Sequence, residues 1–300
     1  MSLKAMNRRT FLETATTVTG ATLLTSGFGW AAAEHKAEHI AVQLYSVRDA
    51  MKEDFDGTLA KVAKVGYKEV EFAGYFGRTA QQVKASLEKV GLTAPSTHVQ
   101  YDELDDKFPS VIETSKTIGM NYIVCPWIPE ELRKSPDIWK QAGEKFNHCG
   151  EQTKKAGIQF AYHNHWFEFL PVEGKLPYDE LLKECDANLV KMEMDLCWIS
   201  VAGKDPLAYF DKYPGRFPLV HVKDWVKDAS TPSAYQGAMG QSVKFGGRMA
   251  DVGQGSIEWK NLFAHSAKAG IQHYFVENDD PKSAFEDIKI SYDYLAKLQF

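Results

Sequence analysis

Two regimes of hydrophobic patterning alternate along the chain. Segments with apolar residues at three- and four-residue spacing end near a glycine, and a short, nearly continuous apolar run follows at once. The unit recurs at Lys64-Val65-Gly66, Lys89-Val90-Gly91, Ile118-Gly119, Lys155-Ala156-Gly157 and Lys268-Ala269-Gly270. Glycine suits the left-handed residue that closes a helix, and lysine in the last turn suits the helix dipole. The runs that follow are too short for free helices and read as buried parallel strands. Strands are predicted over Ile40–Tyr45, Glu69–Phe72, Ala94–His98, Tyr122–Cys125, Gln159–His163, Val190–Asp195, Pro218–Val222 and Tyr274–Glu277. Helices are predicted over Phe55–Lys64, Ala80–Val90, Phe108–Ile118, Pro136–Ala156, Tyr178–Cys185, Pro206–Lys212, Ile257–Ala269 and Ala284–Leu298. Strands alternating with helices in this number predict an α/β fold, a single-domain (β/α)8 TIM barrel. An open doubly wound sheet is the alternative. No G-x-G-x-x-G follows the first strand, which counts against its dinucleotide-binding form.

A barrel carries its chemistry at the C-terminal ends of its strands. Those ends read Gln43 and Tyr45, Glu71, His98, Trp127, His163 and His165, Glu193 and Asp195, His221 with Lys223 and Asp224, and Glu277. Packing does not explain so many polar ends on apolar strands, because each buried charge needs a partner. One divalent cation would partner several at once. Imidazole and carboxylate donors suit Mn, Zn, Fe or Co better than a thiolate-loving metal. The densest stretch is Ile158–Phe169, IQFAYHNHWFEF, where strand alternation turns His163 and His165 to one face. The plain alternative for that stretch is a pair of histidines capping a core strand by hydrogen bonds.

Composition narrows the field. Of the 300 residues 25% are charged and the formal net charge is −5, which offers no general attraction for nucleic-acid phosphates. No nucleic-acid partner is expected. The first residues follow a different logic. Arg8-Arg9 precede a Thr-, Gly- and Ala-rich stretch, and Ala31, Ala32 and Ala33 close it. This pattern is expected to be an export signal of the twin-arginine type over residues 1–33, delivering the protein to the periplasm. Its threonines and glycines make a poor spanning helix, so no stable membrane anchor is expected. Loss of Lys4, Arg8, Arg9 and Glu13 would leave a net charge of about −7. Cys125, Cys149, Cys185 and Cys197 show no C-x-x-C spacing, so a zinc knuckle is not expected, and Cys125 and Cys197 read as buried thiols.

Against this background the chain resembles the xylose isomerase-like superfamily of sugar phosphate isomerases and epimerases over residues 38–300. The resemblance rests on Tyr162-His163-Asn164-His165-x-x-Glu168-Phe169, on Asp195 with Trp198, on His221-Val222-Lys223-Asp224, on Gly253-x-Gly255-x-Ile257-x-Trp259 and on Val276-Glu277-Asn278-Asp279. It implies one divalent metal ion (Mn, Zn, Co, Fe or Mg) held by His163, Asp195, His221 and Glu277. Many epimerases of that family carry glutamate at the strand-five position, where this chain has His163. Their two glutamates face opposite sides of the sugar, and only Glu277 of that pair remains here. The second acid or base then falls to His165 or Lys223, and imidazole, with a pKa of ~6.5, suits proton transfer at neutral pH. Whether His163 or His165 is the strand-five ligand stays open.

Glu168, Trp198, His98 and Trp166 are read as substrate contacts, with the metal shell as the alternative for Glu168. Of Trp127, Trp166, Trp198 and Trp225, two are expected to reach the ligand and the others to fill the barrel. Glu71 either binds substrate or pairs with Arg48, and Glu193 either orients a ligand histidine or is a solvated charge. Lys223 is read as a phosphate contact, a carbonyl polariser or an ion-pair partner of Asp224. The connection Trp225–Ser256 is long enough to suggest a lid. The function expected is a metal-dependent sugar isomerase or epimerase working on an unphosphorylated keto-sugar or polyol through an enediolate. A keto-sugar dehydratase or lyase on the same site, a non-catalytic sugar-binding barrel and, least favoured, an apurinic endonuclease are the alternatives. The partner is a small carbohydrate, and a homo-oligomer is compatible with the chain.

Overall fold

In the computed structural model, residues 35–135, 137–228 and 246–300 are described. The expected export segment, Pro136 and most of the Trp225–Ser256 connection, with Pro232, Gly237 and Gly240, lie outside them. Eight parallel strands close a barrel. They are β1 (Ile40–Gln43), β2 (Glu69–Phe72), β3 (Thr93–His98), β4 (Tyr122–Cys125), β5 (Gln159–His163), β6 (Val190–Asp195), β7 (Leu219–Val222) and, after a two-stranded antiparallel excursion of β8 (Asp224–Lys227) and β9 (Gly247–Ala250), β10 (His273–Val276). The ring runs β1-β10-β7-β6-β5-β4-β3-β2, so β1 and β10 meet at the seam, with Ile40 opposite Tyr274 and Val42 opposite Val276. The predicted barrel is therefore the observed fold.

Helices over Phe55–Val65, Ala80–Val90, Phe108–Ile118, Ile138–Lys155 and Ala284–Leu295 sit where the patterning expects them. Gly91 closes its helix with φ 70°, in the left-handed region that a side chain disfavours. Two expectations change. The first strand stops at Gln43, because the Gln43 side chain accepts from Tyr45 N–H and turns the chain into a 3-10 segment, Leu44–Val47. The expected helix Ile257–Ala269 is two short helices, Trp259–Phe263 and Ser266–Ala269, joined at Ala264 and His265.

Side chains two apart on a strand share a face, so the barrel interior is built in layers. Ala41, Tyr122, Val124, Ala161, Leu219 and Phe275 form a small apolar cluster separate from the main core. Two residues onward from members of that cluster come Gln43, His163, His221 and Glu277, and two residues back come His39 and His273. An apolar plug thus separates a polar layer at the C-terminal mouth from a second one at the N-terminal mouth.

Candidate active site

The C-terminal layer gathers residues from strands that are far apart in sequence. His163 ends β5, Asp195 ends β6, His221 lies in β7 and Glu277 follows β10. One donor atom from each lies within 4.8 Å of all the others, and all four side chains are buried. His163 Nδ1 sits 3.2 Å from the Pro126 carbonyl, which can only accept. Nδ1 therefore carries the hydrogen, and Nε2 turns a lone pair towards Asp195 Oδ2 at 3.4 Å. Neither His163 Nε2 nor Asp195 Oδ2 makes a hydrogen bond within the protein, although the Lys223 ammonium lies 3.0 Å from that oxygen. Ligands at ~2.0–2.1 Å around one tetrahedral ion stand roughly 3.3 Å apart, so this pair already has the spacing of two ligands. Burial, reinforced by the charges of His221 and His98, holds His163 well below the usual imidazole range, hence neutral as a ligand must be. The residues present fit a divalent cation, and the position inside the donor group belongs to His163 rather than His165.

Beneath this group lies a charged layer. His221 Nδ1 is 2.7 Å from Glu277 Oε2, while its Nε2 is 2.8 Å from Glu71 and 3.2 Å from Glu193. His98 Nε2 bridges the same two carboxylates at 2.7 Å from Glu193 and 3.1 Å from Glu71. Gln43 and Ser96 donate to the remaining positions of Glu71. Burial would lower the pKa of His98, but Glu71 and Glu193 outweigh it and push it up to about 9. The same contest, won by Glu193 and Glu277, raises His221 well above its ordinary value. A cation bound to Nδ1 would displace the proton held there, and Glu71 and Glu193 would stay on Nε2 as orienting carboxylates. That is the orienting role read for Glu193. Glu71 departs from expectation: it pairs with His98 and His221, whereas Arg48 donates to the carbonyls of Tyr45 and Asp279.

Lys223 is the cation of the upper rim. Its Nζ is 3.0 and 2.9 Å from the two Asp279 oxygens and 2.8 Å from Glu277 Oε2. Asp224, one of the partners considered for it, has another task. That carboxylate accepts from the backbone N–H groups of Trp225, Gly253, Gly255 and Ile257 and from Trp259 Nε1. Two separated motifs are thereby one construction, with the His-x-Lys-Asp turn tied to the Gly-x-Gly-x-Ile-x-Trp loop. A Cβ on Gly255 would lie 1.9 Å from Asp224 Oδ1, which is why glycine stands there.

The cavity above these groups has a volume of about 230 Å³, below the roughly 300–1,000 Å³ of drug-sized sites and suited to a small ligand. Among the described residues it is lined by His98, Trp127, His163, His165, Lys223, Glu277 and Asp279, with Tyr45, Gln100, Ala73 and Pro126. His165 Nδ1 has no hydrogen-bond partner, and burial holds that imidazole well below its usual pKa. Three residues expected to touch substrate are set back from this lining. Glu168 is fully buried; its oxygens accept from Tyr162 O–H at 2.6 Å and His165 N–H at 2.8 Å, so it fixes the turn that presents His165. Trp166 packs on Trp198, ring centroids 4.8 Å apart, behind that turn. Of the four tryptophans only Trp127 reaches the described lining, its indole N–H held by Gln100. Asp279 had only its place in the Glu277-Asn278-Asp279 motif as a signal; three-residue reach past a strand end is invisible to strand counting. All four cysteines are free and buried, two of them as expected.

Known proteins resemble this chain in sequence and fold. Residues 59–297 match the family model described as xylose isomerase-like TIM barrel. An inosose dehydratase of Lacticaseibacillus casei is 23% identical over 254 residues, 77% of this chain and 84% of that protein. An inosose dehydratase of Bacillus thuringiensis (strain Al Hakam) is 22% identical over 244 residues, 74% of this chain and 80% of that protein. Among solved structures, a sugar phosphate isomerase/epimerase from Parabacteroides distasonis superposes with a TM-score of 0.67 at 27% identity, over 88% of this chain and 95% of that one. The chain belongs to the xylose isomerase-like TIM barrel family.

Proposed function

We propose that the protein is a metal-dependent lyase that removes water from an unphosphorylated keto-polyol or keto-sugar. The observation that carries the choice is His163. A neutral imidazole stands in the donor group where proton shuttling across a sugar needs a second glutamate, so Glu277 is left without its opposite-face glutamate partner. A cation held by His163, Asp195, His221 and Glu277 would polarise a carbonyl and stabilise the negative charge that develops beside it. Glu277, kept ionised because Lys223 and His221 outweigh its burial, takes the proton from the carbon next to the carbonyl. The electron pair of that C–H bond forms a carbon–carbon double bond as the bond to a β-hydroxyl breaks. Hydroxide leaves with a proton from Lys223, or from water ordered by His165, so that one water is lost. Trp127 and Tyr45 wall the cavity against which the ring lies. The names of the inosose dehydratase relatives support the same outcome. The expected export of the chain supports an unphosphorylated substrate, because sugar phosphates are mainly cytoplasmic metabolites.

An isomerase or epimerase is the second reading, favoured by the likeness to the Parabacteroides distasonis structure. Incubating metal-loaded protein with a panel of keto-inositols and ketohexoses in deuterated water separates the two. Loss of water is expected, with deuterium entering at the former β-carbon as the enol product ketonises. Deuterium exchange that yields an epimer or isomer with every hydroxyl retained replaces the lyase by the second reading.

A further inference from the structure

The N-terminal mouth of the barrel carries a donor group of its own. His39 immediately precedes β1, Glu69 opens β2 and His273 opens β10, and these strands are neighbours in the order β10-β1-β2. The register that sets Ile40 beside Tyr274 and Ala41 beside Glu69 brings the three side chains together below the apolar plug. Glu69 Oε1 is 3.0 Å from His39 Nδ1, and Glu69 Oε2 is 2.6 Å from His273 Nδ1. One donor atom from each residue lies within 4.8 Å of the other two. Glu69 and His273 are largely shielded, with 13% and 14% of their side chains exposed, whereas His39 is 54% exposed. Two shielded donors and one exposed donor at the solvent edge leave an entry path.

We propose that His39, Glu69 and His273 form a second divalent-metal site, on the face of the barrel opposite the candidate active site. Two imidazoles and one carboxylate suit Zn, Co, Ni, Cu or Fe and not Mg or Ca, which take oxygen ligands. Three ligands held ~2.0–2.2 Å from one ion stand roughly 3.3 Å apart, a spacing that shifts of a few tenths of an ångström to an ångström would supply here. The remaining coordination position faces water. His273 is already steadied by Tyr122, edge to face at 6.0 Å, and by Phe275 beneath it at 6.1 Å. His273 opens β10 and Glu277 directly follows its end, four residues and about 13 Å of extended chain apart, so one ion cannot serve both mouths. Because β1 and β10 are the first and last strands of the ring, an ion there clasps the seam that closes the barrel.

The test is a zinc chloride titration of the metal-stripped full-length protein, followed by calorimetry and by elemental analysis after dialysis. The same titration is run on His39→Gln, on His273→Gln, and on each combined with Asp195→Asn. Each single variant is expected to bind one equivalent of zinc fewer than the parent, with at least a hundred-fold loss at that class of site. The deficit persists in the Asp195→Asn background, which keeps this outcome separate from the fate of the upper donor group. Cobalt in place of zinc should give a visible absorption band that His39→Gln removes. His39 is half exposed and outside the ring of strands, so its variant keeps the fold even if His273→Gln does not. Unchanged zinc stoichiometry and affinity in His39→Gln overturns the proposal and leaves a hydrogen-bonded clasp.

Discussion

At the C-terminal mouth, among the described residues, His98, His163, His165 and His221 are packed with Glu71, Glu193, Asp195, Glu277, Asp279 and Lys223, almost out of reach of water. At the N-terminal mouth, two histidines share one glutamate with solvent at the edge. The residue types are the same and the barrel strands are the same. What differs is desolvation: inside the upper layer each charge is intelligible only through its neighbours, since an unpaired buried ion is far costlier than an exposed one. His98 and His221 are pushed up by Glu71, Glu193 and Glu277, and in turn hold Glu71 and Glu277 ionised. Below the plug, water relieves most of that interdependence. Function that needs perturbed groups belongs to the upper mouth, and the lower mouth has only its donor geometry to offer.

The sharpest way to break that contrast is to remove chemistry from one mouth and look for an effect of the other. Glu277→Gln keeps an oxygen donor and loses the base. It should lower kcat by roughly 10²–10⁴-fold, the usual cost of a lost general base. The readout is water loss from the best keto-polyol in the panel, together with bound metal by elemental analysis. Near-normal turnover would remove Glu277 from proton transfer. Glu69→Gln at the other mouth should leave kcat within two-fold of the parent.

The second effect is on folding. Glu193→Ala withdraws one of the two carboxylates that hold the His98 imidazolium at 2.7 and 3.1 Å. Breaking a buried charge pair on one side costs roughly 3–5 kcal/mol, read as a fall in the urea midpoint. Glu69→Ala, against partially exposed partners, should cost well under half of that. Equal losses would mean that burial does not distinguish the two layers.

The barrel was legible in the sequence because parallel strands buried on both faces and glycine-closed helices leave strong periodic marks, and the strand ends could be counted off. His163, Asp195, His221 and Glu277 emerged as one group for that reason, aided by the family resemblance. What could not be read was which neighbour each charge chooses. Glu71 was open between substrate and Arg48, and the structure gives it His98 and His221, 27 and 150 residues away in sequence. Asp224 looked like a partner for the adjacent Lys223 and instead gathers five donors from two segments. Glu168 looked like a sugar contact because a strand-end motif says nothing about which side of a turn a carboxylate folds to. His39, Glu69 and His273 carry no such mark, because a barrel's chemistry is expected at the C-terminal ends of its strands and these three stand at the N-terminal ends.

A third, smaller effect is a pH dependence. Burial pushes the Glu168 carboxyl up to about 7 from its ordinary 4.5, against the lowering pull of its bonds from Tyr162 and His165 N–H and of the Arg133 charge. A carboxyl whose folded pKa is raised binds its proton more tightly in the native state. Its contribution is therefore complete below pH 4.5 and is lost as pH rises through 7, amounting to roughly 3 kcal/mol over that window. Other groups titrate there too, so the measured quantity is the difference between parent and Glu168→Gln in urea stability from pH 4 to pH 8. The parent should weaken relative to the variant across the window. A flat difference would show that Glu168 is ionised and fully satisfied by its donors.

The smallest expected effect decides whether the lower mouth is inert or merely subtle. In metal-stripped protein His39→Gln removes one hydrogen bond from a side chain that is 54% exposed, worth about 0.2–1 kcal/mol at most. Stability and kcat should both stay close to the parent. If an ion clasps the β1–β10 seam, however, zinc should raise the melting temperature of the parent and raise that of His39→Gln less. Binding to the native state alone stabilises it by RT ln(1 + [L]/Kd), about 2.7 kcal/mol at a hundred times Kd. The upper donor group would give the same rise in both proteins, so the difference between the two zinc shifts isolates the lower mouth. A nonzero difference with unchanged turnover places stability at the N-terminal face and chemistry at the C-terminal one, the division that the barrel architecture leads one to expect. A zero difference, with the variant otherwise like the parent, leaves the lower histidines as ordinary rim residues held by a carboxylate, and the contrast between the mouths becomes one of charge burial alone.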